Sequence, residues 1–392
     1  MPKSIEALVE PELLMWARDT AGLEIPEVAR KIDVKPERIE SWERGEKRPT
    51  IVQLRKLARV YKRPIAVFFL SSPPGGRFKA MHDFRRLPIS EAMRQSPELR
   101  FEIRRSQFRR DIALELYDFL GEQPPGFQTS ISLSDSPEDV AVQLRELTNV
   151  SYENQMHWRT SYDALNGWRA ALEDLGILFF QAPNIELKEM RGFSLSEKPL
   201  PVITVNTRDT VNGRIFTALH EFVHIVLDEN GLCNNTEGWL QPTAGQDIEV
   251  FCNRVAGAIL VPQTYLLREE LVRKKGSEPY WSDPELDELA RGYNVSRETI
   301  LRRLLIVGRT TEPFYQAKRE QFTAEYEALS KRKKKSAGGP TPDKIAVARS
   351  GYHFTRLVLN SYYNETITAS DVSEYLDVRL RHVPAIEATV FD

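Results

Sequence analysis

The chain has 392 residues, with 54 Lys and Arg against 56 Asp and Glu, a formal net charge of -2, and 41% hydrophobic residues. This length calls for several units that each bury a core, and the composition is that of an ordinary soluble globular protein. A near-neutral chain has no global field to draw it onto nucleic acid, so any DNA affinity must come from a local basic face.

The opening MPKSIEALVEP places no apolar segment behind a basic leader, so no secretory signal is expected. No run approaches the roughly 18 apolar residues of a membrane helix. Two cysteines, Cys233 and Cys252, supply neither a disulfide framework nor a thiolate metal cluster. These features point to a cytoplasmic protein. Turn-rich or charged breaks fall at SSPPGGR (71–77), GEQPPGFQTSISLSDSP (121–137) and KRKKKSAGGPTPDK (331–344). They predict five segments: a helical unit over 8–70, a basic helical connector over 71–137, a central unit over 138–308, a charged linker over 309–344 and a small helical module over 345–392.

In the first segment, apolar residues recur at spacings of three and four. Leu13, Leu14 and Ala17 line one helix, and Val28, Ala29 and Ile32 a second. Ile39 and Trp42 line a third, and Leu54, Leu57, Ala58 and Tyr61 a fourth. In ARKIDVKPERIESWERG, small Ala29 lets two helices cross closely while Val34 and Ile39 close the angle, the scaffold of a helix-turn-helix. Lys35, Arg38, Ser41 and Arg44 are the candidate DNA contacts on the third helix. Glu37, Glu40 and Glu43 share that helix and repel phosphate, although a glutamate can accept from cytosine N4. Residues 1–76 carry 14 basic and 11 acidic side chains, whereas 77–110 carry 10 against 4 and offer further phosphate contacts. The competing role for this unit is protein binding.

The central segment contains FTALHEFVHIVLDENG (216–231). Phe216, Leu219, Val223 and Val226 form the buried stripe of an amphipathic helix, and His220 and His224 lie one turn apart on one side. Two imidazoles at that spacing can close on one ion, with Glu221 as general base beside them. By chance HExxH arises in very roughly one chain of this length in a hundred. Metal catalysis wants a third protein ligand and an open position. DIEVFCNRVAGAILVP supplies a helix with Glu249, Asn253 and Ala256 on one face, and small residues at 256–258 that allow close approach. Asp247, Glu237, Asp228 and Glu229 are rival ligands by composition. Upstream, LEDLGILFF (172–180) and LPVITVN (200–206) read as strands whose edge can hold an extended peptide. ARKIDVKPERI (29–39), ARGYNVSRETI (290–300) and SEYLDVRLRHV (373–383) share one spacing and predict three helical corners, of which the second reads as support for the central unit. His353 and His382 read as packing or surface residues.

Residues 13–70, through WERG and RPT, resemble the lambda-repressor-like, or XRE-type, helix-turn-helix domain. RGFSL, PVITVN, RIFTALHEFVHIVL and the Glu249–Asn253–Ala256 helix ending in ILVP resemble the ImmA/IrrE family of metallopeptidases, with ILVP a mild departure from its ending. HDFRR (82–86) is similar to the element joining the two modules in that family. The resemblance implies an α+β chain: an all-helical N-terminal domain, a central zincin-like peptidase domain with a small sheet and an HExxH helix, and a helical C-terminal region. It implies zinc on His220, His224 and Glu249 with Glu221 as the base, duplex DNA as one partner, and a helix-turn-helix repressor cleaved as substrate. A homodimer is also in view. The alternative is a DNA-binding or antitoxin-like regulator whose metallopeptidase domain binds or senses without proteolysis.

Overall fold

The structure is a computed structural model describing residues 5–74, 95–227, 232–233, 246–332 and 341–391. HDFRR, Asp228, Glu229 and Glu237 lie outside the described residues. The described chain divides between residues 107 and 108 into two compact units.

The first unit contains α1 (Pro11–Ala21), α2 (Ile25–Ile32), α3 (Pro36–Glu43) and α4 (Ile51–Tyr61), followed by a 3-10 turn over Ile65–Phe69. Every apolar position assigned to the four helices from spacing is buried in one cluster. Thr50 and Gln53 close a reciprocal capping box that starts α4. Of the 3-10 turn only Phe68 is buried.

The long helix α5 (Pro97–Leu120) spans the division. Within the first unit, Arg100 donates to Asp19 O at 2.7 Å, and Arg104 donates to Tyr61 O and Lys62 O at 3.1 and 2.7 Å. Within the second unit, Arg110 donates to Leu200 O at 3.1 Å, Glu197 O at 3.1 Å and Pro199 O at 3.0 Å. These guanidiniums satisfy carbonyls that helix ends and turns leave open. Arg100, Arg104 and Arg110 thus serve the fold, while the basic residues over 77–94 lie outside the described residues.

The second unit continues with α6 (Pro137–Leu147), α7 (Tyr152–His157), α8 (Ser161–Asp174), β1 (Leu178–Ala182), β2 (Gly192–Leu195), β3 (Val202–Asn206), α9 (Val211–Val226), β4 (Leu232–Cys233) and α10 (Gln246–Leu260). Helices α11 (Gln263–Leu266), α12 (Glu270–Lys275), α13 (Asp283–Tyr293), α14 (Arg297–Ile306) and α15 (Glu312–Arg332) follow. The chain closes with α16 (Pro342–Ser350), α17 (Tyr352–Tyr363), α18 (Ala369–Leu376), a 3-10 turn (Leu380–His382) and α19 (Val383–Phe391). The sheet order is β1-β3-β2-β4, with β1 parallel to β3 and the other pairs antiparallel. This α+β architecture agrees with the sequence reading, with one adjustment. Residues 172–174 end α8 instead of starting a strand, and Gly176 at φ +81° turns the chain into β1.

All three predicted corners exist, and each turns through a left-handed residue at the same place in the repeat: Asp33, Asn294 and Asp377, at φ 61°, 54° and 54°. Each is closed by the same bond, Val34 N to Ala29 O, Val295 N to Ala290 O and Val378 N to Ser373 O, at 3.0, 3.0 and 3.1 Å. The third differs in continuing into a 3-10 turn before its next helix.

The C-terminal helices are built onto the sheet. Helices α16 and α17 pack on β1. Between them Gly351 adopts φ 76° and ψ 152°, and an added Cβ would stand 2.4 Å from Phe179 O. Glu173 then accepts from Tyr352 N and His353 N at 3.0 and 3.1 Å, a carboxylate at a helix N-terminus. Burial pushes the Glu173 carboxyl up to about 7, against the pull of Arg169 and these two N–H groups. Gly351→Ala is expected to destabilise this docking by about 3 kcal/mol. Limited proteolysis should then release fragments cut after residue 341, where the wild type stays intact.

Candidate metal centre

Helix α9 starts at the Thr210 cap, whose hydroxyl accepts from Gly213 N at 3.0 Å. It runs between α8, α10 and the inner strands β2 and β3. Burial on several sides explains why its apolar residues extend beyond one stripe: Ala218, Leu219, Phe222, Val223, Ile225 and Val226 are all buried. Helix α10 packs along α9, with Val255, Ala256 and Ile259 in the shared core. Gly257 does not face α9. Its Cα side meets Arg303 Cδ, where an added Cβ would be 3.4 Å away. Close approach to α9 therefore rests on the neighbouring alanines and the valine.

This packing brings His220, His224 and Glu249 together. Exposure is 1% at His220, 0% at His224 and 6% at Glu249. The two Nε2 atoms lie 3.0 Å apart. Glu249 Oε2 is 3.3 Å from His220 Nε2, and Oε1 is 3.2 Å from His224 Nε2. Neither carboxylate oxygen accepts a hydrogen bond of good geometry across these distances. Donors at about 2.0–2.2 Å from a tetrahedral ion stand roughly 3.3 Å from one another, close to the separations found here. Three donor atoms converging in a dry pocket need a positive centre between them. The residues present fit a metal ion, and among the described residues this is the group of His, Cys, Asp and Glu that could hold one. Asp247 is exposed and stands apart from the group.

Glu221 is fully buried beside these residues. Its Oε2 accepts from Ser194 Oγ on β2 at 2.7 Å, while Oε1 carries no hydrogen bond. Burial pushes the Glu221 carboxyl up, with the imidazoles and the serine opposing it. Burial acts in the same direction on Glu249, but there the two imidazoles win and hold the carboxyl below the usual range. Ser194 was not singled out from the sequence, although it lies in the RGFSL run. Its role depends on β2 facing α9, a relation that strand pairing sets. Gly192 makes that approach possible: an added Cβ would stand 2.4 Å from Thr217 Cγ2 and 3.0 Å from Thr204 O. Asn253, one turn beyond Glu249, is also buried, and its Nδ2 has no hydrogen-bond partner.

On the helix-turn-helix, Lys35, Arg38 and Arg44 are exposed along α3. Ser41 is buried and donates to Arg38 O at 2.8 Å, which removes it from the solvent face. Glu43 is buried too. Arg18 grips it through Nε–Oε1 at 2.8 Å and Nη2–Oε2 at 3.1 Å, so its charge does not reach a groove. Arg44 is shared between Glu40 and Glu46 at 3.7 and 3.0 Å. The exposed face of α3 is therefore less acidic than its composition.

Metal analysis of the purified full chain should find close to one equivalent of a divalent ion. His220→Ala and Glu249→Gln should each bring it near zero, while Asp247→Asn leaves it unchanged.

No curated protein matches the chain. Residues 172–305 match the M78 peptidase family through its IrrE N-terminal-like domain, a span that covers the sheet, α9, α10 and the helices to α14. Residues 14–68 match the helix-turn-helix family. The chain thus joins an XRE-type helix-turn-helix domain to a metallopeptidase-like domain of the ImmA/IrrE type.

Proposed function

We propose that this protein is a regulator in which a zinc-dependent endopeptidase cleaves a protein partner, a helix-turn-helix repressor, while the N-terminal domain binds duplex DNA. The observation that carries this reading is Glu221. It stands next to two converging imidazoles and a carboxylate, with one oxygen fixed by Ser194 and the other carrying no hydrogen bond.

His220, His224 and Glu249 would hold the zinc, which supplies Lewis acidity toward the scissile carbonyl and lowers the pKa of water. Glu221 takes the proton of the attacking water at Oε1 and delivers it to the leaving amide nitrogen. Ser194 holds the carboxylate in one orientation, so no rotamer search precedes the transfer. The β1 edge is occupied by α16 and α17, which directs an extended substrate segment to the β4 side of the sheet.

The near-complete burial of His220, Glu221 and His224 favours a second reading, a sensing or binding module without proteolysis. The two readings separate on one residue. Glu221→Gln should keep the metal and the fold and abolish cleavage of the partner repressor. Ser194→Ala should keep both and lower kcat by about tenfold with KM little changed, the loss of one hydrogen bond to a charged group. Equal cleavage by wild type and Glu221→Gln removes this residue from the mechanism, and no cleavage of the genuine partner by either favours the sensing module.

For the DNA-binding half, the expected contacts are Lys35 and Arg38. Replacing both with alanine should weaken binding to promoter DNA and reduce the salt-dependence slope by about two. Fluorescence anisotropy across a salt series measures this, and an unchanged slope would place the phosphate contacts elsewhere.

A further inference from the structure

The C-terminal helices and α5 line an open pocket of about 580 Å³ that the peptidase reading does not use. Its wall comes from α5 (Arg109), α16 (Pro342, Ile345, Ala346, Arg349) and the third corner with its 3-10 turn (Leu376, Asp377, Val378, Arg379, Arg381, His382). Four arginines face one carboxylate around this space, an excess of three positive charges before His382 is counted. Beside the guanidiniums the lining carries apolar side chains from Pro342, Ile345, Ala346, Leu376 and Val378.

Arg109 forms a rigid base to the charged lining. It is 2% exposed, donates to Arg349 O at 2.7 Å and to Ser350 Oγ at 3.2 Å, and lies over the Phe180 ring at 5.1 Å. A buried guanidinium locked by a carbonyl, a hydroxyl and an aromatic face keeps its charge in one place, so little ordering is needed on binding. Arg379 and Arg381 are exposed at the mouth. Asp377 sits at the left-handed turn of the corner, which fixes its position.

We propose that this pocket binds a small organic phosphate of nucleotide size. The charge excess calls for a multiply charged anion, and a phosphate monoester carries nearly two negative charges at neutral pH, where a carboxylate carries one. The apolar lining calls for a flat or hydrocarbon portion joined to that anion. The volume lies in the range of small-molecule pockets, about 300–1,000 Å³.

The experiment is calorimetric titration of the full chain with AMP and ATP, using adenosine, inorganic phosphate and a thymidine octanucleotide as comparisons. Arg379→Ala/Arg381→Ala is the test variant, since both side chains are exposed and neither anchors a helix. AMP or ATP is expected to bind at one site per chain, with adenosine, inorganic phosphate and the double variant each weaker by about tenfold or more, the loss of charge-assisted or of apolar contacts. Thermal melting of the unliganded variant should match the wild type. Absence of AMP and ATP binding at millimolar concentration, or binding unaffected by the variant, overturns the proposal. Adenosine binding as tightly as AMP removes the phosphate, and inorganic phosphate binding as tightly as AMP removes the organic half. Octanucleotide binding that exceeds AMP binding and falls with the same variant reassigns the surface to nucleic acid.

Discussion

A carboxylate wedged against two imidazoles in a dry interior is the constraint around which the second unit is arranged. Glu249 cannot be buried there as a bare anion, because the desolvation cost of a lone ionised carboxylate exceeds what a small domain's net stability can absorb. A positive centre offsets that cost, and it must sit where His220, His224 and Glu249 meet. That requirement fixes the crossing of α9 and α10, which in turn needs Ala256 and Val255 at the contact. It also fixes the approach of β2 to α9, which needs Gly192 without a Cβ and puts Ser194 within reach of Glu221. The catalytic candidate is thus held from the strand side and the ligands from the helix side.

The arginines show a second theme. A chain with no net positive field still carries many guanidiniums in and around α5, and the structure directs them to backbone carbonyls. Arg100 and Arg104 act within the first unit, and Arg109 and Arg110 within the second. Arg303 is buried between Val261 O and the Glu138 carboxylate. A guanidinium offers five donors in one plane, so a single side chain can satisfy a helix end and keep its stem packed.

Much of the site was legible from spacing. The i, i+4 histidines define one helix face, while spacing offered Glu249 only as a candidate beside Asp247, Glu237, Asp228 and Glu229, and the family resemblance singled it out. Glu43 was legible in principle and misread: Ile39, Trp42 and Glu43 fall at three and four, so Glu43 belongs to the core stripe, where Arg18 meets it. Ser194 was not legible, because a strand's serine gains meaning only once pairing decides which helix it faces. The docking of α16 and α17 depends on Gly351 meeting Phe179 and Glu173, which lie far from it in the chain and share no local signature with it. The third corner shared its spacing with the other two and its left-handed aspartate with the first, yet Leu380–His382 forms a 3-10 turn that the spacing does not encode.

The central claim is that α9 and α10 together build one metal site from His220, His224 and Glu249. Anomalous diffraction at the zinc absorption edge, on crystals grown with zinc, tests it most directly. The account predicts one strong peak about 2.0–2.2 Å from both Nε2 atoms and a Glu249 oxygen, with Glu221 outside bonding distance. A peak ligated by Glu221, or centred on Asp247 or another carboxylate in place of Glu249, would contradict it.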